Sequence, residues 1–187
     1  MTTNDGGEIV ELVEAGRQRR LFRRAAIVVG AVLALIIVAV VLLPFLQALR
    51  VEGNEASAKG SVRAILSAQF TFASVCGRNF YARTLPTLGR PGTDGSAFLS
   101  PDLAASDTVE TSGYRVWIEA EAAPDAPATC NGEPAGVTAK TFVVRAEPVR
   151  DGEGLFFAAR DDGRLFQGGR RIQFVDGVPG GDAVPVK

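Results

Sequence analysis

The chain has 187 residues, 20 basic and 21 acidic side chains, a net charge of -1 and no histidine. A near-neutral charge argues against a polyanionic partner, so we expect no nucleic-acid binding. The missing histidine removes the commonest general base and metal ligand, and we predict a non-enzymatic protein with no cofactor and no small-molecule substrate.

Residues 1–24 form a polar segment that ends in a cluster of basic side chains. We place this segment in the cytoplasm. Residues 1–16 are expected to be loose and without a function of their own. The alternative is a short helix with Glu8, Glu11 and Glu14 on one face. Its arginines are Arg17, Arg19, Arg20, Arg23 and Arg24. They could be read as a nucleic-acid patch, but beside an apolar segment they are better interpreted as a topology anchor that also attracts anionic membrane lipid.

An apolar run follows, and residues 25–43 contain neither a charged nor a polar side chain. A helix of this length is about 28 Å long, close to the thickness of a bilayer core. We predict a single transmembrane helix over 25–48. The alternative is a cleaved signal peptide, but the run exceeds the usual length of such peptides and no convincing cleavage site follows it. Because basic residues lie before the span, we place the chain from residue 49 onward outside the membrane.

The helical pattern continues beyond Pro44, which we expect to kink the helix because proline removes one backbone hydrogen bond. Apolar residues then recur at three- and four-residue steps on one side. They are Ala58, Val62, Ile65, Leu66, Phe72 and Ala73. This second part is therefore predicted to be amphipathic, with Gln69 hydrogen-bonded on the apolar stripe and Gly77 ending the helix.

Residues 78–112 are predicted to be rich in loops, and after them the apolar period changes to two, which is typical of strands. The strands are predicted at 114–119, 140–146, 155–160, around 165–166 and, as a last edge strand, at 172–175, with a turn at 161–163. The tail 177–187 is predicted to be flexible. The expected fold class is α+β. It is a long N-terminal transmembrane-plus-amphipathic helix packed on a small antiparallel β-sheet, with an extracytoplasmic domain over 49–176.

The two cysteines, Cys76 and Cys130, both follow the apolar segment. Outside the cytoplasm an isolated pair is typical of a disulfide, and the chain-entropy model assigns a closed loop of about 55 residues on the order of 4 kcal/mol. Two free thiols in the core are the alternative. A structural zinc site is not expected, because two cysteines without histidine do not complete its ligand set.

Oxygen ligands suffice for calcium, and two acidic stretches could supply them. They are Asp161-Asp162 and the segment from Asp102 to Glu110. Neither has the carboxylate spacing of an EF-hand, and the first is followed by Gly163 as in a turn. We therefore predict no metal site.

Three consecutive segments resemble a known family. Residues 44–50 read PFLQALR, 54–61 read NEASAKGS and 62–69 read VRAILSAQ. They resemble type IV pilins and the major pseudopilins of type II secretion, and the strands at 113–116, 146–149 and 157–163 add to the likeness. The resemblance implies a pilin-like fold in the bacterial cytoplasmic (inner) membrane, with a periplasmic domain. It also implies protein partners that are pilin-like subunits or components of a pilus or secretion machine.

The chain differs from that family around the site at which prepilin peptidase cleaves pilins. Aligned on Pro44, Phe22 occupies the position of the glycine before the prepilin peptidase cut, and Ile27 that of an early helical glutamate. We therefore expect a pilin-like subunit or accessory that prepilin peptidase does not cleave. The alternative is a stand-alone, membrane-anchored binding or sensing domain with a pilin-like fold.

Overall fold

The structure is a computed structural model that describes the backbone of residues 5–150 and 152–186 and the side chains from residue 27 onward within those ranges. The described elements define an α+β fold, with one long helix, one short helix and eight strands. The chain separates into two compact units, which divide between Leu49 and Arg50.

The N-terminal unit is formed by the first part of helix α1 (Asp5–Val75). The helix includes the backbone from Asp5, where the sequence led us to expect a loose segment. Pro44 lies inside α1, as predicted. Between Ile27 and Leu49 the described side chains are exposed, and among the described residues this is the one segment long and apolar enough to cross a membrane.

The second unit, from Arg50 onward, is built on the later turns of α1. The six apolar residues predicted to share one side of the helix are all buried, and all except Ala73 belong to the main core. They pack with apolar side chains of the sheet, among them Val116, Val144 and Phe157. The helix ends at Val75, where the Gly77 N–H donates to the Phe72 carbonyl oxygen at 2.7 Å. The period of the sequence therefore identified the buried side of α1.

The main sheet is antiparallel, and its strand order is β1-β2-β3-β4-β5-β8. The strands are β1 (Thr108–Thr111), β2 (Tyr114–Glu119), β3 (Val143–Pro148), β4 (Phe156–Arg160), β5 (Leu165–Gly168), β6 (Phe174–Val175), β7 (Val178–Pro179) and β8 (Val184–Pro185). A two-residue turn joins β1 to β2, and its residues Ser112 and Gly113 both have positive φ, as a type I′ hairpin turn requires.

Side chains alternate between the two faces of the sheet, and the face opposite α1 has a small core of its own. Ala158 and Phe166 are buried there with Ile172, which belongs to the segment after β5. The Arg145 guanidinium donates to the Ile172 carbonyl oxygen. The segment from 169 to 186 therefore covers part of this outer face, and the sheet is enclosed between α1 and the C-terminal segment.

Four predictions differ from the structure at this level. The segment 172–175 does not form an edge of the main sheet, because Phe174 and Val175 pair with β7 in a separate hairpin. The tail predicted to be flexible contains β7 and β8, because β8 pairs with β5 and the Asp182 carboxylate accepts the Gly169 N–H at 2.8 Å. The third strand begins at Val143, three residues later than predicted. The loop-rich segment contains β1 and a short helix, α2 (Leu85–Gly89).

Candidate functional site

The turns of α1 that follow Arg50 are tied to loops of the sheet by polar contacts. Glu55 Oε1 accepts the Leu155 N–H at 3.1 Å, and the Tyr114 hydroxyl donates to the Leu155 carbonyl oxygen at 2.9 Å. Ser57 donates to the Ser112 hydroxyl at 2.9 Å. Burial, and then the nearby Glu55 carboxylate, raise the pKa of Tyr114 to about 12. Glu55 and Ser57, in one of the segments that carries the family resemblance, thus fasten α1 to two loops.

Gln69 occupies the predicted position on the apolar stripe, and its side chain is fully buried. Its Nε2 donates to the Ala82 carbonyl oxygen at 2.7 Å, and its Oε1 accepts the Ala82 N–H at 2.9 Å. Both backbone groups of one buried residue are therefore satisfied by a single amide. This pair of bonds holds the chain that leaves the end of α1 against the helix.

The outer face of the sheet carries an ion-pair network. Arg145 is 8% exposed in its side chain and donates from Nε to Glu119 at 2.6 Å. Arg171, from the C-terminal segment, pairs with Glu147 at 2.7 Å and lies over the Trp117 ring at 5.6 Å from its centre. The network fastens the C-terminal segment to β2 and β3. The arginines and glutamates of this network pair with one another, so we interpret it as a structural network and not as a ligand-binding site.

A small polar cavity of about 190 Å³ lies between α2, with the residues before it, and the loop after Cys130. Glu133 is 8% exposed, and its Oε1 accepts the Thr87 hydroxyl at 2.7 Å and an Arg90 N–H at 2.8 Å. Oε1 accepts both of these hydrogen bonds, and Oε2 takes part in neither of them. Arg83 and Thr138 also line the cavity. The lining thus combines three charged side chains with three threonine side chains, Thr84, Thr87 and Thr138.

The sequence alone did not identify this cavity, because its charged members are spread over about fifty positions and share no local motif. A second cavity, of about 440 Å³, lies beside the disulfide and has a more apolar wall that includes Val75 and Phe98. No charged side chain other than Asp94 lines it.

The cysteines form the expected disulfide, with Cα atoms 4.9 Å apart. The bridge joins the end of α1 to the long connection between β2 and β3, where the Cys130 N–H also donates to the Cys76 carbonyl oxygen at 3.4 Å. A disulfide fits an oxidising compartment. The topology-anchor arginines, Arg17, Arg19, Arg20, Arg23 and Arg24, lie outside the described side chains.

The acidic turn weighed for calcium is occupied by arginines. Asp162 accepts a 2.7 Å bond from Arg164, and Asp161 pairs with Arg160 at 3.4 Å. Burial opposes ionisation of Asp162, but the side-chain and backbone hydrogen bonds from Arg164 outweigh it and lower the pKa of this carboxyl. Among the residues that the structure describes, no group of three or more His, Cys, Asp or Glu side chains is placed to hold a metal ion.

Comparisons with known proteins give no family for this chain. No family model, no curated protein and no solved structure matches it. Any proposal about function therefore depends on the residues and on the geometry described above.

Proposed function

We propose that this chain is a non-enzymatic, single-pass membrane protein of pilin-like architecture that acts as a subunit or accessory of a type IV pilus or type II secretion-type machine. One observation carries the proposal. The exposed apolar segment and the buried stripe belong to the same helix, and an antiparallel meander of strands follows it. The resemblance of residues 44–69 to pilins points to the same arrangement of anchor, helix and sheet.

The proposed topology places the N-terminus in the cytoplasm and the domain in the periplasm. Five arginines precede the apolar segment, whereas Arg50 is the only basic residue between it and Lys59. Excess positive charge remains on the cytoplasmic side of a span. The disulfide supports the same assignment, because it belongs to an oxidising compartment.

The anchor is proposed to be permanent. Phe22 stands where the family has the glycine required for cleavage, and Arg23 and Arg24 follow it. Two adjacent arginines are costly in a bilayer core and belong at the headgroups. An uncut chain would also bring these charges into the apolar axis of a filament without partners for them. The protein therefore acts in the membrane as a machine component and not as the bulk subunit of a sheared fibre.

Intact-mass measurement on protein purified from its own host tests the permanent anchor. We expect the full-length mass, or the loss of Met1 only, and retention in the membrane after surface filaments are sheared away. A genuine prepilin of the same cells, followed in the same preparations, is the control for peptidase activity and shearing. A mass that begins at or near Arg23, together with recovery in the sheared fraction, contradicts the permanent anchor and favours a filament subunit.

A gene deletion tests the machine role separately. We expect loss of piliation or of type II secretion, restored by the full chain but not by the domain exported without its apolar helix. Unchanged piliation and unchanged secretion would contradict it.

The second candidate is a stand-alone, anchored binding or sensing domain, and the polar cavity at Glu133 favours it. The unit from Arg50 to Lys187 has its own core, disulfide and enclosed sheet. Such a unit needs no neighbouring subunit to bury its apolar stripe. An unchanged phenotype in the deletion strain, combined with a specific ligand of the cavity, would favour this candidate.

A further inference from the structure

The cavity bounded by Arg83, Arg90, Glu133 and Thr138 has features that its structural role does not explain. Glu133 and Arg90 already satisfy one another through Oε1. Arg83 donates from Nε to the Ala120 carbonyl oxygen at 3.2 Å, a bond that does not use its two terminal nitrogens. The cavity is thus lined by two arginines and one glutamate, a net charge of +1. The terminal nitrogens of Arg83 take no part in its bond to Ala120.

Thr138 also lines the cavity, but its Oγ1 is enclosed by protein atoms, so a ligand in the cavity does not reach it. The polar groups that the bonds described above do not use are therefore the terminal nitrogens of Arg83 and Glu133 Oε2.

From these groups we propose that the cavity binds a small carboxylate that carries a hydroxyl or amino group on the neighbouring carbon. The carboxylate accepts from the terminal nitrogens of Arg83, since a guanidinium matches a carboxylate in a two-bond geometry. The neighbouring group donates to Glu133 Oε2.

The size of the cavity limits the ligand. A volume of about 190 Å³ equals the share of about six water molecules in the liquid, which suits a molecule of a few carbon atoms. The inference holds under either function proposed above, because it concerns the domain alone.

Three probes of equal carbon number test the chemistry on the full chain in detergent micelles. L-lactate offers a hydroxyl, L-alanine an amino group, and propionate neither. Titration calorimetry should show saturable binding of lactate or alanine and much weaker binding of propionate, and the better of the two identifies the donor. Equal binding of all three would contradict the recognition of a donor. No saturable heat with any probe at millimolar concentrations would overturn the site.

Two variants assign the residues. Arg83→Gln should weaken the better probe by at least about tenfold, as expected for a lost charge-assisted bond. Arg150→Gln is the matched control, because Arg150 is exposed and lines a different cavity, and it should leave binding unchanged.

Discussion

Replacement of Gln69 by leucine tests the main packing argument. Leucine has a similar size and is apolar, so the change preserves the burial of the stripe and removes both hydrogen bonds to Ala82. The N–H and C=O of Ala82, which is itself fully buried, are then left without their partner. An unsatisfied buried group costs about 1–3 kcal/mol, so the two together should lower the free energy of unfolding by about 2–6 kcal/mol.

Such a loss is a large part of the total, because small domains are stable by only about 5–15 kcal/mol. Urea unfolding in detergent measures it, with the single tryptophan, Trp117 in β2, as the reporter of the domain. We expect the midpoint to fall by about 1 M or more, since urea slopes for small domains are about 1–3 kcal/mol/M. Gln167→Leu, at a half-buried position of β5, is the control and should change stability by less than about 0.5 kcal/mol. A Gln69→Leu midpoint equal to that of the natural chain would refute the account of this contact.

Three further predictions follow from topology, covalent structure and titration. A reporter that is active only in the periplasm should be active when fused after Lys187, and a cytoplasmic reporter at the same site should be inactive; the reverse result contradicts the topology. Protein denatured without reductant should show no free thiol, and a Cys76→Ser, Cys130→Ser double variant should lose up to about 4 kcal/mol of stability. Two titratable thiols in the natural chain would contradict the disulfide. The pKa of Tyr114 is raised to about 12, so its contribution to stability is complete below pH 10 and is lost as the pH rises through 12. In Tyr114→Phe the free energy of unfolding should therefore fall less steeply over this alkaline range, which unfolding at a series of pH values measures.

Sequence patterns predicted those elements that have a strong local signal. The stripe on α1 follows a helical period over four turns, so the buried positions from Ala58 to Ala73 could be read directly. The strand at 114–119 alternates cleanly and was placed at its observed limits. In β2 the alternate residues Tyr114, Val116 and Ile118 face the main core, so the period identified the inner face there as well.

Short elements were missed because their structure depends on a partner. β1 has four residues, three of them polar, and is fixed by its pairing with β2 through the turn at Ser112 and Gly113. β8 has two residues, and its position depends on the free edge of β5. α2 did have a local signal, because Thr84 is its N-cap and Pro86 lies in its first turn. Its five residues are too few, however, to show a helical period.

The third strand shows how packing shifts a boundary. Phe142 had been included in the strand, but its ring packs against Tyr81, with ring centres 4.7 Å apart, and the strand begins one residue later. The polar cavity was beyond prediction for a related reason. Arg83 lies before α2, whereas Glu133 and Thr138 follow Cys130, and the disulfide joins that loop to the end of α1.

The enclosure of the outer sheet face by the C-terminal segment has a consequence for biosynthesis. Chains emerge from the ribosome N-terminal end first. The consecutive strands from β1 to β5 can therefore pair as they appear, whereas the covering segment is made after all of them. Until it arrives, the edge of β5 is unpaired and Phe166 and Ala158 are uncovered. An open strand edge beside an apolar patch invites association with other chains. Residues 169–186 thus complete the fold late, and until they pair, the chain exposes both an open strand edge and an apolar patch.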